Sequence, residues 1–407
     1  MIKSPFVFTV AVFVFLLFSG ISLPTAASAG EEALKLTGYT AVEGRFFMQT
    51  PAHQDQEYGP QLSWAIQPEL SLDAAGARHQ FKLTPFVRID GMDEERSHFD
   101  LREAYWRYTS ESWEVLAGLN KVFWGVAESR HLVDIINQSD LLEDVDQEDK
   151  LGQPMIMAAG LFTWGELQFY LLPFFREIRY PGEKGRLRPP LTVDDDSEFQ
   201  SGTEEKHIDA ALRYSHYFGD WDVGASYFNG TSREPRLILN DRMDQLTPYY
   251  ELIRQFGVDF QYTREAWLWK FEGIYREGRD DSFVATVGGF EWTLYQVMQS
   301  NADLGWLLEY NWDGRDNAES PPTSYDNDLF AGMRLALNDP QDTSALVGAV
   351  VDSKTGSKFV SLEAERRIIG AFILEVQARL FIDIDDQDPV KSIEDDDFVN
   401  VSLQYHF

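Results

Sequence analysis

From residue 34 to the last residue the chain keeps returning to one pattern, an apolar side chain at every second position. Over 61–72, Leu62, Trp64, Ile66, Leu70 and Leu72 interleave with Gln61, Ser63, Gln67, Glu69 and Ser71. Over 79–90, Phe81, Leu83, Val87 and Ile89 oppose Gln80, Lys82, Thr84, Arg88 and Asp90; over 256–263, Phe256, Val258, Phe260 and Tyr262 oppose Gly257, Asp259, Gln261 and Thr263. Over 372–382, Phe372, Leu374, Val376, Ala378, Leu380 and Ile382 oppose Glu375, Gln377 and Arg379. A period of two puts the two sets on opposite faces of a strand, one for an apolar medium and one for water. Scored by this alternation, eighteen strands are expected, over 34–48, 61–73, 79–91, 98–110, 113–122, 154–163, 166–178, 206–218, 221–230, 249–264, 267–277, 282–298, 302–312, 325–338, 344–353, 358–368, 370–384 and 396–407. Merging or missing one hairpin would make it sixteen. Links of a few residues fall at every even-numbered connection, and the longer ones, among them 123–153, 179–205, 231–248, 313–324 and 385–395, fall at odd ones.

The two ends say where such a chain belongs. Lys3 is the only charge before Glu31, an apolar run follows from Phe6 to Phe18, and Pro24 precedes Ala27-Ser28-Ala29, a small-x-small cleavage site. Residues 1–29 are therefore expected to be a cleaved export signal, and 30–407 the mature domain. Downstream no apolar stretch has the length of a spanning helix, so only a closed barrel could place the chain in a bilayer. At the other end Val399, Val401, Leu403, Tyr405 and Phe407 alternate with Asn400, Ser402, Gln404 and His406, and the chain stops on an aromatic. This tail resembles the C-terminal signature of Gram-negative outer-membrane proteins. That resemblance implies that Tyr405 and Phe407 are read by the barrel-assembly machinery as an insertion signal. The expected fold is all-β: a transmembrane antiparallel up-and-down β-barrel of about eighteen strands, with short periplasmic turns, long extracellular loops and one partly helical constriction loop.

Composition fits this. Aromatics make up 14% of the chain against 25% charged residues, which suits girdles of Trp and Tyr at two water–lipid boundaries. There is no cysteine, which excludes a disulfide scaffold and suits export through an oxidising compartment. The formal charge is -32, and loss of Lys3 with the leader takes it to -33. Nucleic acid and other polyanions are poor partners for such a chain. Outer-membrane lipid and lipopolysaccharide are the expected surroundings, and a homo-oligomer is left open.

A barrel of this size leaves an aqueous interior, so function is expected on the inward rows and loops. By parity the inward row carries Lys82, Arg88 and Asp90 early in the chain, then Asp209, Arg213 and Asp259. It continues through Lys270, Glu272 and Arg276 to Arg334, and ends with Glu363, Glu365, Arg367, Glu375 and Arg379. Mixed charge on a pore wall sets up a transverse field that favours polar solutes. The competing expectation is that these groups pair across strands and merely fill the interior.

The most distinctive loop follows the fifth strand. Leu132, Ile135 and Ile136, then Leu141, Leu142 and Val145, come at near-helical spacing, with Ser139 or Asp140 placed to cap a second turn. An amphipathic stretch of this kind is expected to fold inward over 126–150 as a constriction or plug, or to lie over the outer mouth as a lid. Glu128, Arg130, His131, Asp134, Asn137 and Asp140 are its candidate functional residues. Its position resembles that of the third external loop of general porins, which narrows the barrel. Gly118-Leu119-Asn120-Lys121-Val122-Phe123-Trp124-Gly125, followed by Asp134-Ile135-Ile136-Asn137-Gln138-Ser139-Asp140-Leu141, also resembles a Gly-x-Trp-Gly then Asp-x-x-Asn-x-x-Asp loop pattern of porin-like barrels. An eighteen-strand count is similar to alginate-export and substrate-specific channels, although the acid excess here does not suit an anionic polysaccharide.

Metal and catalytic readings are weaker. Asp144-x-Asp146-x-Glu148 begins like a calcium loop, but position six is Asp149 in place of glycine and position twelve is Met155 in place of a bidentate glutamate. This acidic stretch is expected to be solvated loop charge, or to be bridged loosely by divalent ions to lipopolysaccharide, and Asp194-Asp195-Asp196 and Asp395-Asp396-Asp397 are read the same way. None of the seven histidines lies in a nucleophile motif; His98 with Asp100 and His207 with Asp209 share strand faces as polar contacts do. No catalytic residue, metal or cofactor is therefore assigned. The expected function is a porin-like channel for passive diffusion of small polar solutes, cations or neutral molecules before anions. A channel specific for a polysaccharide or a hydrophobic compound, a structural or docking barrel, and a rim-site hydrolase are the alternatives.

Overall fold

The computed structural model describes residues 33–407; the expected leader over 1–29 lies outside the described residues. Strands are numbered in chain order: β1 (Ala33–Phe47), β2 (Gln61–Ala74), β3 (His79–Asp90), β4 (His98–Thr109), β5 (Trp113–Asn120), β6 (Gln153–Phe162), β7 (Gly165–Leu172) and β8 (Glu198–Phe199). Then come β9 (Asp209–Phe218), β10 (Trp221–Thr231), β11 (Arg236–Leu239), β12 (Leu246–Tyr250), β13 (Leu252–Arg264), β14 (Trp267–Glu277) and β15 (Ser282–Leu294). The last six are β16 (Asp303–Asp313), β17 (Asn327–Ala336), β18 (Ser344–Asp352), β19 (Lys358–Ile369), β20 (Phe372–Ile382) and β21 (Phe398–His406).

Eighteen of these form one antiparallel sheet in which each strand pairs with the next barrel strand in sequence. Pairing of β1 with β21, from Tyr39 opposite His406 to Phe47 opposite Phe398, closes it. Closure leaves no edge, so the ladder satisfies the backbone polar groups that lipid could not. Eighteen strands were expected and eighteen are found, displaced by a few residues at their ends. The outward rows are exposed and apolar, with Leu62, Phe256, Val258, Trp269 and Leu403 among them. Near the short turns Trp164 stacks on Phe162 at 4.7 Å and Trp221 packs on Tyr262 at 4.6 Å, an aromatic girdle at one rim.

Two features differ from the sequence expectation. The segment 249–264 is split at Glu251, and its first part, β12, joins β8 and β11 in a three-stranded sheet among the long loops. These short strands carry too few alternating positions to register as a period. Second, the loop between β5 and β6 contains no helix, which corrects the expected partly helical form. The near-helical spacing of Leu132, Ile135 and Ile136 reflects burial alone. A helix needs its amides for carbonyls four residues back, and here several of them are taken by side-chain carboxylates of the wall.

Candidate functional site: the inward loop and the lumen wall

The loop over 121–152 holds its own shape through the three polar residues of its Asp-x-x-Asn-x-x-Asp stretch. Asn137 closes the base: its Oδ1 accepts from Val122 N at 2.8 Å, and its Nδ2 donates to Asn120 O at 3.0 Å and Leu151 O at 2.7 Å. Asp134 accepts from Trp124 N at 3.2 Å and lies 3.6 Å from Lys150 Nζ. Asp140 pairs with Arg102 at 2.5 Å, while its amide donates to Asp149 O at 2.8 Å.

Two glutamates on neighbouring stretches of wall then hold the loop from outside. Glu272 of β14 accepts from the amides of Val126 (2.7 Å), Ala127 (2.9 Å) and Val133 (3.1 Å). Glu309 of β16 accepts from the amides of Glu128 and Ser129, both at 2.8 Å, and from the Ser129 hydroxyl at 2.7 Å. These are charge-assisted bonds in a buried setting, and each is stronger than a neutral one. The approach depends on Gly125, whose φ is +138° and whose Cβ, were it present, would sit 2.9 Å from Glu272 Oε1. Trp124, Leu132, Val133, Ile135 and Ile136 pack in one apolar cluster with wall residues of β6, β7, β10 and β13 to β15, including Met157, Tyr170, Phe228 and Ile274. Full burial of each such side chain contributes about 1.5–3 kcal/mol.

The rest of the loop meets charge. Arg88 lies between Glu43 at 2.7 Å and Glu143 at 2.5 Å, and Arg96 pairs with Asp90 at 2.8 Å. Arg379 is fully buried, and its Nη2 donates to Asp144 (2.9 Å), Asp146 (2.6 Å) and Glu363 (2.6 Å). The expectation of a solvated acidic loop therefore fails at Asp140, Glu143 and Asp144, which are taken up in ion pairs with inward arginines. It fails also at Asp396, which is buried against Arg186 and accepts from Leu187 N at 2.7 Å. Burial raises the Glu143 carboxyl, but Arg88, Arg96 and Arg102 outweigh it and pull it down to about 2. Asp146 is pushed up to about 7 by burial and by Asp144, against the pull of Arg379. Burial would depress the His131 imidazole, yet Glu148 at 3.0 Å and Glu272 beyond it raise it to about 10. Among the described residues His98, Asp140 and Glu143 bring three ligand atoms within 4.8 Å. Both carboxylates are already engaged by arginines, so a metal ion there would face Arg88 and Arg102.

The other inward charges mostly pair with neighbours. Lys82 meets Glu103 at 2.6 Å, Arg213 makes a two-pronged contact with Asp259 at 2.9 Å, and Asp209 holds Arg233 at 2.9 Å and His207 at 2.8 Å. Glu128 of the loop reaches Arg334 at 2.6 Å and Lys270 at 3.5 Å; Arg130 reaches Asp313 at 3.0 Å. Arg276 meets Glu234 at 2.8 Å, and Arg367 meets Asp342 on a short turn at 3.5 Å. Glu365 and Glu375 face each other across β19 and β20, and Gln404 donates to Glu375 at 2.6 Å. Tyr405 stands opposite Thr40 in the closing pair, and Phe407 N donates to Gly38 O at 3.0 Å. Sequence reasoning passed over Glu43 and Glu309, although both lie on inward rows by the same alternation. It had no signal for Arg315 and Glu234, which come from loops and meet at 2.9 Å.

A closed eighteen-strand barrel with an apolar belt and a charged interior defines an outer-membrane β-barrel, the fold of porins and related channels. No family model and no curated protein matches the chain in sequence. Among solved structures, one match is Wzi of Escherichia coli, an outer membrane protein involved in group 1 capsule assembly and described as a carbohydrate-binding β-barrel. It has a TM-score of 0.53 at 12% identity, over 90% of this chain and 84% of that one. A BenF-like porin from Pseudomonas fluorescens Pf-5 matches with a TM-score of 0.53 at 11% identity, over 93% of this chain and 98% of that one. At these identities the likeness is one of fold.

Proposed function

We propose that this protein is an outer-membrane channel for passive diffusion of small polar solutes, favouring cations and neutral molecules, and that the loop over 126–150 sets its narrowest section. One observation carries the reading. The loop is bound to inward-facing residues on both sides of the barrel, to Glu272 and Glu309 through its amides and to Arg88, Arg102 and Arg379 through its acids. The wall is not sealed around it: the side chain of Arg334, which meets Glu128 of the loop, is 41% exposed, and that of Glu363, which meets Arg379, is 46% exposed. A polar wall in a water-filled lumen passes polar solutes and resists apolar ones. The preference for cations rests on the chain's -32 charge, which concentrates them at the mouth. The same charge disfavours an anionic polysaccharide.

The reading assigns no chemistry to His98 or His207, which bond to Arg96 O and Asp209. It gives Tyr405 and Phe407 the role of insertion signal for the assembly machinery, and places lipid around the belt and lipopolysaccharide around the long loops. The test is planar-bilayer conductance of the refolded chain with reversal potential under a salt gradient, for wild type and for a deletion of 128–148. A steady cation-selective conductance that grows on deletion is expected. Absence of current from both proteins would overturn the channel.

A further inference from the structure

Between the loop tip and the connections that follow β16, β18 and β20 lies a cavity of about 380 Å³, the size of a small-molecule site. We propose that this vestibule binds an organic ammonium ion with an apolar body, its charge held at Asp328 and Asp352. Asp328 and Asp352 stand opposite each other at the outer ends of β17 and β18. Asp328 is 1% exposed, lines the cavity and takes part in no ion pair among the described residues; its hydrogen bond comes from Asn327 N at 3.0 Å. A carboxyl group shielded from water with no cation beside it either takes up a proton or stays ionised at a large desolvation cost, and a bound ammonium ion would let it ionise as one half of a pair. The nearby lysines are engaged elsewhere, Lys354 with Asp326 at 2.7 Å and Lys358 with Asp383 at 2.6 Å. Asp388 adds a third acid from the loop after β20; its Oδ1 accepts from Ser324 Oγ at 2.8 Å and Val390 N at 3.1 Å.

Next to the acids the same wall turns apolar. Val350 is two residues before Asp352, Phe359 stands opposite it on β19, and Phe381 lies opposite Phe359 with ring centroids 5.4 Å apart. All three line the cavity. An amphiphilic ammonium laid across this row puts its charge at Asp328 and its body over two aromatic rings, where the ring faces also attract a cation. On the far side three arginines share two acids, Arg315 with Asp313 and Glu234, Arg130 with Asp313 and Arg276 with Glu234, so the one positive charge in excess is spread over a paired network. A hard divalent ion fits less well, since it needs six or more converging oxygens. The described residues that bring three ligand atoms within 4.8 Å of one another are His98, Asp140 and Glu143, not these acids.

This deepens the channel reading and rests on it for the site's role in uptake, but not for binding itself. Calorimetric titration of the refolded full chain with benzylammonium, benzyl alcohol and calcium separates the two. Benzylammonium is expected to bind, with Asp328→Asn weakening it at least tenfold and Asp342→Asn, at the opposite rim, leaving it unchanged. Should the first variant not fold, Phe359→Ala is expected to weaken benzylammonium at least threefold. Absence of binding, equal affinity in the wild type and in Asp328→Asn, equal affinity for benzyl alcohol, or binding of calcium alone would each overturn the site. Binding is read without current, so a conducting chain that does not bind sinks this proposal alone, and a binding chain that does not conduct sinks the channel alone.

Discussion

Replacing Glu272 by alanine tests whether wall carboxylates, rather than the loop's own chain, keep the loop over 121–152 in place. The change removes the shared acceptor of three amides, those of Val126, Ala127 and Val133. Ala127 and Val133 are buried, so water does not simply take over. A buried donor left unpaired costs about 1–3 kcal/mol, and three on one side chain are not additive, so docking should weaken by roughly 3–5 kcal/mol. His131 loses the more distant of its two acids but keeps Glu148 at 3.0 Å, which limits the damage there. At the lower bound, local opening rises on the order of a hundredfold, and exchange of the three amides should accelerate by that factor. Glu272→Gln keeps one neutral acceptor but turns an N–H toward a donor, so it should fall between wild type and alanine. Hydrogen exchange read by mass spectrometry over 122–136, with single-channel noise alongside, measures both. If Glu272→Ala leaves exchange and noise unchanged, carboxylate anchoring is refuted and the apolar cluster alone holds the loop.

The loop should also answer to pH. Asp146, raised to about 7, loses its favoured neutral form in the folded loop as pH climbs, so docking weakens between roughly pH 4 and 7. His131, raised to about 10, contributes fully below its ordinary value of about 6.5 and loses that contribution as pH rises toward 10. Glu143 acts in the opposite sense, contributing above its ordinary range and losing it as pH falls toward 2. Single-channel noise should therefore rise from pH 5 to 8.5, and a flat or falling profile would count against this. Arg379→Gln leaves Asp144, Asp146 and Glu363 facing one another and should cost about 3–5 kcal/mol, seen as cleavage by added protease within 140–150. Asn137→Ala removes three bonds to the loop base and should lower the urea midpoint by the equivalent of about 2–4 kcal/mol, while Asn137→Asp should recover the Val122 bond only.

The barrel itself was legible residue by residue. Alternation at Leu62 to Leu72 or Phe372 to Ile382 is a local property, and a strand between lipid and water must show it whatever its neighbours are. The loop was legible as buried but not in shape. Leu132, Ile135 and Ile136 have the spacing of a helix, and nothing near them in the chain announces that Glu272, 139 to 146 residues away, takes the amides a helix would use. The acids of 140–149 read as solvent-facing for the same reason, since Arg88, Arg102 and Arg379 come from strands remote in sequence.

The barrel's strand count to within one hairpin, the two faces of each barrel strand and the alternation of short and long connections were thus determined by the sequence alone, because the two-sided environment writes itself into every second residue. Which charges pair, that the loop over 121–152 lacks a helix, and that Asp328 lies beside a cavity with no cation partner among the described residues were decided only by the closed barrel. Closure brings distant strands and loops within bonding distance, and buried charge is then settled by whichever groups arrive together, not by their order along the chain.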